Sequence, residues 1–173
     1  MKRLTLFVSL ILCLAMMFAL ASCSSKSKAH SSPESVVQNC LEAYSKFDAD
    51  GMFDSFNEGV LQRIADEEYD GDFDACKEAF KEYVDELKEE FEGIELSFKV
   101  IEIKDLEGDD LDEVKEFFSE YYDAEVSAAA SVTFEMTVKG EDEGVVLDNT
   151  EEETVTVIKI DGKWYVNHED ILL

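Results

Sequence analysis

Proline is almost missing from this 173-residue chain: there is one, Pro33, and none follows it. That excludes Pro-rich recognition segments and polyproline spacers, and it leaves every later helix and strand free of that breaker. Cations are scarce too, with 15 Lys and Arg against 42 Asp and Glu and a formal net charge of −27. Phosphate contacts need a basic patch, which this composition cannot assemble, so nucleic acid is excluded as a partner. No Gly-x-Ser-x-Gly, P-loop, glycine-rich dinucleotide turn or Cys-x-x-Cys is present, and with them go the common routes to acyl, phosphoryl, hydride and dithiol chemistry. No cofactor and no metal is expected. Apolar side chains are not lacking. At 46% hydrophobic and 11% aromatic, the chain can bury a core, and its acidity is not that of a disordered segment.

The one long hydrophobic run is N-terminal. Met1-Lys2-Arg3 is cationic, and Leu4 to Leu20 then carries no charge, the pattern of an n-region followed by an h-region. It ends in Leu20-Ala21-Ser22-Cys23, which resembles the lipobox of bacterial lipoproteins. By that resemblance residues 1–22 are a signal peptide, and Cys23 receives a thioether-linked diacylglyceryl group and becomes the mature N-terminus. The partner it implies is the cell membrane, met from the extracytoplasmic side. Two acyl chains suffice for a stable anchor. Left uncleaved, the same run approaches a spanning length. Cleavage would remove Lys2 and Arg3 and no acid, taking the balance from −27 to −29. Residues 23–32 then read as the lipidated Cys and a Ser-rich tether, reaching at most about 30 Å, with His30 a solvated residue within it.

Residues 33–173 are enough for one core. Ser32-Pro33-Glu34-Ser35 starts a helix, with Ser32 as N-cap and no Glu or Gln three residues on to complete a capping box. Val36, Val37, Cys40, Leu41, Tyr44 and Phe47 form its apolar face. Asp48 to Gly51 breaks it, shorter helical segments follow, and Phe73 to Phe91 predicts a long amphipathic helix stopped by Gly93. From Ile94 the period changes to two, with a phase slip at Ile101 that predicts a bulge or a bend. Asp109 to Tyr122 returns to helix. Val126 to Val138 alternates as a long strand, Gly140 to Gly144 is a turn, Thr154 to Ile160 is a strand, Asp161-Gly162 is a tight hairpin, and Lys163 to Asn167 is the last strand. Helices first and an antiparallel meander afterwards predict an α+β domain.

The opening Ser-Pro-Glu-Ser-Val-Val-x-x-Cys-Leu-x-Ala-Tyr, the break Asp-x-Asp-Gly-Met-Phe-Asp and the ending Asp161-Gly162-Lys163-Trp164-Tyr165-Val166 together resemble cone-shaped domains of the nuclear transport factor two-like superfamily. The resemblance implies N-terminal helices packed on a curved antiparallel sheet. The helix from Asp109 departs from that pattern. The superfamily hosts enzymes, binders and assembly modules alike, so fold selects none of them.

Candidate site residues are few. Val126, Ala128, Ala130, Val132 and Phe134, with His168 beside Trp164 and Val166 if the last strand continues, would line a pocket if the helices leave the sheet open; the other reading of a lone His at a strand end is a surface residue. The small Ala128 to Ala130 could instead let a helix sit close. Cys40 and Cys76 lie on apolar helix faces and are either a disulfide or two buried thiols. Asp66 to Asp74 has alternate acids around Gly71, but an EF-hand count from Asp66 puts Lys77 where a bidentate Glu is required; a solvated loop leading to a helix N-terminus fits better. Glu141-Asp142-Glu143 and Glu151-Glu152-Glu153 read as solvated turns. The function these features suggest is an envelope-bound binding or accessory module for a small ligand or an envelope protein. The alternatives are a small-molecule enzyme using His168 and a homodimerising module.

Overall fold

The computed structural model describes residues 29–142 and 145–170. The segments expected as a signal peptide (residues 1–22), as the lipidated Cys23 and as the first part of a tether (24–28) lie outside the described residues. Helices α1 (Pro33–Ser45), α2 (Ala49–Phe53), α3 (Glu58–Glu68) and α4 (Phe73–Glu90) come first. They are followed by β1 (Glu95–Asp105), α5 (Asp109–Tyr122), β2 (Ala128–Asp142), β3 (Val145–Ile160) and β4 (Lys163–Val166), and a 3-10 turn at His168–Asp170 ends the described chain. The four strands make one antiparallel sheet in the order β1-β2-β3-β4. The α+β class is therefore as expected, with helices packed against an antiparallel meander.

Each of the first four helices starts on a side chain suited to it. Ser32 caps α1, and a capping box is present after all: Ser35 Oγ accepts from Ser32 N at 3.0 Å while Ser32 Oγ accepts from Ser35 N at 3.2 Å. A short hydroxyl thus does what a longer Glu would do from the same position. Asp48, Asn57 and Asp72 cap α2, α3 and α4 with their side chains. The acids of the 66–74 segment are accordingly spent on the end of α3 and on the cap of α4, with Gly71 at φ +83° making the turn between them.

The sheet has two covered faces. On the front, Ala130, Val132, Phe134, Val155, Val157, Trp164 and Val166 share one core with Val36, Val37, Cys40, Leu41 and Ala43 of α1, Met52 and Phe53 of α2 and Phe80 and Val84 of α4. On the back, α5 lays Phe118 against Ala129, Ile158 and Ile160, joined by Val60 of α3 and by Val126. Strand alternation explains the division: Ala130 pairs with Val157 and points forward, whereas Ala129 pairs with Ile158 and points back. Beyond α5 the back face is polar, with Thr133 against Thr154 and Thr137 against Thr150, each pair 3.0 Å apart.

Of the strands, β1 matches expectation in its irregularity, while β2 and β3 depart from it: β2 runs on through Gly140, Glu141 and Asp142, which the pattern predicts as a turn but which pair with Leu147, Val146 and Val145. The bulge at Ile101 is where the phase slip put it, since the β1 register shifts between Val100 and Glu102. β3, however, begins at Val145 instead of Thr154 and takes in Glu151, Glu152 and Glu153, which pair with Met136, Glu135 and Phe134. These acids are not a turn. The long alternating β2 offers a complete backbone ladder, and hydrogen-bonding to it outweighs the weak strand propensity of Glu while the carboxylates stay exposed.

Candidate functional site

The six candidate pocket residues are not brought together. Ala130, Val132 and Phe134 are 0%, 0% and 6% exposed inside the front core, Ala128 packs half-buried beside them, Val126 belongs to the back cluster, and His168 sits past the end of β4. The front of the sheet is filled there. Ala128 and Ala130 belong to the same packed core as Val36 and Val37 of α1, which fits the second of the two readings their small size allowed.

His168 is a correction. The last strand stops at Val166, and His168 opens the 3-10 turn, 7% exposed, instead of extending the face of Trp164. Backbone geometry explains why. Asn167 still donates to the Thr156 carbonyl at 2.9 Å, but the Asp170 carboxylate then accepts from Thr156 N at 2.5 Å and from Asn167 Nδ2 at 3.3 Å, folding the chain back on itself. The turned imidazole meets Tyr122 at the end of α5, Nε2 to hydroxyl 3.0 Å, rings edge-on at 5.1 Å. Tyr122 donates its one proton to Glu169 Oε1 at 3.3 Å, so His168 must carry its proton on Nε2 and donate to the phenol.

Electrostatics make this a fastening. Burial pushes the Tyr122 phenol up to about 12, with the Glu169 carboxylate adding to the effect. It stays protonated, far from the range where it would exchange protons at neutral pH. Burial lowers the His168 pKa against the opposing pull of Glu169, Asp170 and Glu68. Because the folded value lies below the ordinary 6.5, the neutral ring contributes stability above that pH, and the contribution is lost as pH falls through the folded pKa. The stability gap between wild type and His168→Asn, measured by urea unfolding, should therefore narrow from pH 7.5 to pH 5. A gap that widens would contradict this assignment.

Cys40 and Cys76 are both buried and unbridged. Burial pushes the Cys40 thiol up to about 12, with a hydrogen bond to Ser55 acting the other way, and it raises Cys76 as well, with the Glu68 charge in support. Neither is a thiolate at neutral pH, so neither is a ready nucleophile. In unreduced native protein both should resist a thiol reagent, and both should react on denaturation. Two protected thiols after denaturation would mean a bridge.

The tether also ends sooner than its composition suggests. Trp164 donates its backbone N–H to the His30 carbonyl at 3.0 Å, and His30 Nδ1 lies 2.6 Å from the Trp164 carbonyl oxygen. That oxygen only accepts, so Nδ1 carries a proton. The His30 ring packs on Tyr165 at 4.7 Å. His30 is thus an edge partner of β4 and not a solvated tether residue; Val166 N, the next outward donor, goes to the Ser55 carbonyl at 3.0 Å. Beside this contact lies a depression of about 730 Å³ between α1, α2, the start of α4 and β4, with Lys46, Lys77, Lys163, Glu42, Asp54 and Tyr165 among its walls. Its cations are partly spent, since Lys77 bonds Asp50 at 2.8 Å and Lys46 bonds Glu42. Neither this depression nor two others that share residues 123–125 is lined by His168.

Tyr122, Glu169, Ser55 and the His30 contact were not singled out by sequence. The only signal for them was the Asn167-His168-Glu169-Asp170 run, whose Asx chemistry favours a turn over a strand.

No family model matches the chain, and no curated protein matches it. Among solved structures, an NTF-2-like protein of unknown function from Shewanella oneidensis is similar at 19% identity and TM-score 0.41, covering 76% of this chain and 88% of that one. Aln2 from a Streptomyces species is similar at 16% identity and TM-score 0.41, covering 82% and 95%.

Proposed function

We propose that the chain is a lipid-anchored module of the bacterial cell envelope, held on the extracytoplasmic side through Cys23, and that it works by binding rather than by catalysis. The observation that carries this is Leu20-Ala21-Ser22-Cys23 at the end of an uncharged run, only seven residues before His30 takes its place on β4. Cys23 to Ala29 can span at most about 20 Å, so the domain stands close to the bilayer. At −29 its side chains are repelled by an anionic leaflet, and the covalent lipid has to hold it there. Among the described residues no helix is long and apolar enough to cross a membrane.

Binding is favoured because the polar groups best placed for catalysis are otherwise engaged: His168 and Tyr122 fasten the C-terminal turn, and the sheet front is core. What remains for a small ligand or an envelope protein is surface. A β-lactamase fused after Leu173 tests the side of the membrane. It should confer ampicillin resistance, because the enzyme protects a cell only when exported; a stable fusion that leaves cells sensitive would contradict the proposal.

A further inference from the structure

We propose that β1 is a self-pairing edge, through which two copies of the chain join their sheets across a two-fold axis at Ile103. β1 is the end strand of the sheet, and β2 is its only strand partner among the described residues. The other end is closed, because β4 bonds His30 and Ser55. An open edge invites a strand, and proteins usually blunt it. Here the bulge at Ile101 blunts only the first part, and Ile101 and Ile103 remain 39% and 41% exposed.

The charges favour a second copy over a foreign strand. In a chain this acidic, β1 is nearly balanced, with Lys99 and Lys104 against Glu95, Glu102 and Asp105. Glu102 and Lys104 make no ion pair among the described residues. Both point to the back face, opposite Thr133 and Ser131, while Ile103 points forward opposite Val132. Antiparallel pairing centred on Ile103 sets Ile103 against its own copy and Glu102 against Lys104 of the second copy, twice. Both contacts are of the kind that stabilises a sheet. The bulge ends the register on one side, so the pairing is short, and two bodies of −29 repel; the dimer is weak and strengthens with salt.

The test is disulfide trapping of the full-length protein in its own membranes. Facing residues across an antiparallel pair lie within disulfide range, so Ile103→Cys should give a band of twice the monomer mass under mild oxidation, and Ser97→Cys, off the axis, should not. Adding either Glu102→Lys or Lys104→Glu to Ile103→Cys turns both cross-pairs into like charges and should cut trapping about tenfold. Adding both swaps the pairs and should restore it. Trapping no better than at Ser97, trapping unmoved by the single reversals, failure of the double swap to restore it, or a band joining Ile103→Cys to a different protein would each overturn the proposal.

Discussion

Replacing Cys23 with Ser is expected to move the protein from the membrane fraction to the soluble fraction entirely, or to leave it as an uncleaved precursor still carrying residues 1–22. A single acyl chain gives only marginal binding and two give a stable anchor, so the effect should be all or none instead of graded. The described domain has no helix that could span, and its acidity opposes any electrostatic attachment. Salt or carbonate washing should leave the wild type in the membrane. If the Cys23→Ser variant pellets as the wild type does after removal of the signal peptide, attachment is by a protein partner and the lipid has no role.

Trp164→Ala should cost about 3–5 kcal/mol, a large part of the roughly 5–15 kcal/mol that holds a domain of this size. Trp164 is 8% exposed, belongs to the front core with α1 and the strands beside it, and lies under the Lys159 ammonium at 5.6 Å. Its backbone bonds to His30 survive the substitution, so the loss reads the indole's packing together with its contact to Lys159. His30→Ala, which removes only the Nδ1 contact and the ring against Tyr165, should cost about 1 kcal/mol. Urea unfolding followed by far-UV circular dichroism measures both, since the Trp164 variant lacks the chain's one Trp and with it the usual fluorescence probe. Equal losses from the two substitutions would mean that the edge contact, and not the core, dominates at β4.

Much of the fold is legible because period and capping are local. The α4 helix, the α5 helix and the slip at Ile101 each follow from spacing, and α1 starts where Ser32-Pro33 says it should. The site is less legible because its facts are tertiary. Alternation names Val132 and Phe134 as one face, yet whether that face is cavity or core depends on how closely α1 approaches. A lone histidine at a strand end suits solvent until Asp170 turns the backbone and Tyr122, 46 residues away, receives the ring. Composition likewise describes a Ser-rich tether but cannot say that His30 finds an unpaired strand edge 134 residues further on. Glu151 to Glu153 went the same way, because a ladder partner decides strand membership and the acids themselves do not.

Lipid attachment at position 23 can be read from the mass of the N-terminal tryptic peptide of wild-type protein taken from its native membrane. That peptide should begin at Cys23 and be heavier than its sequence by a diacylglyceryl group. A peptide running from Leu4 through Cys23, which trypsin would release from an uncleaved chain, or one beginning at an unmodified Cys23, would contradict the anchored module proposed above.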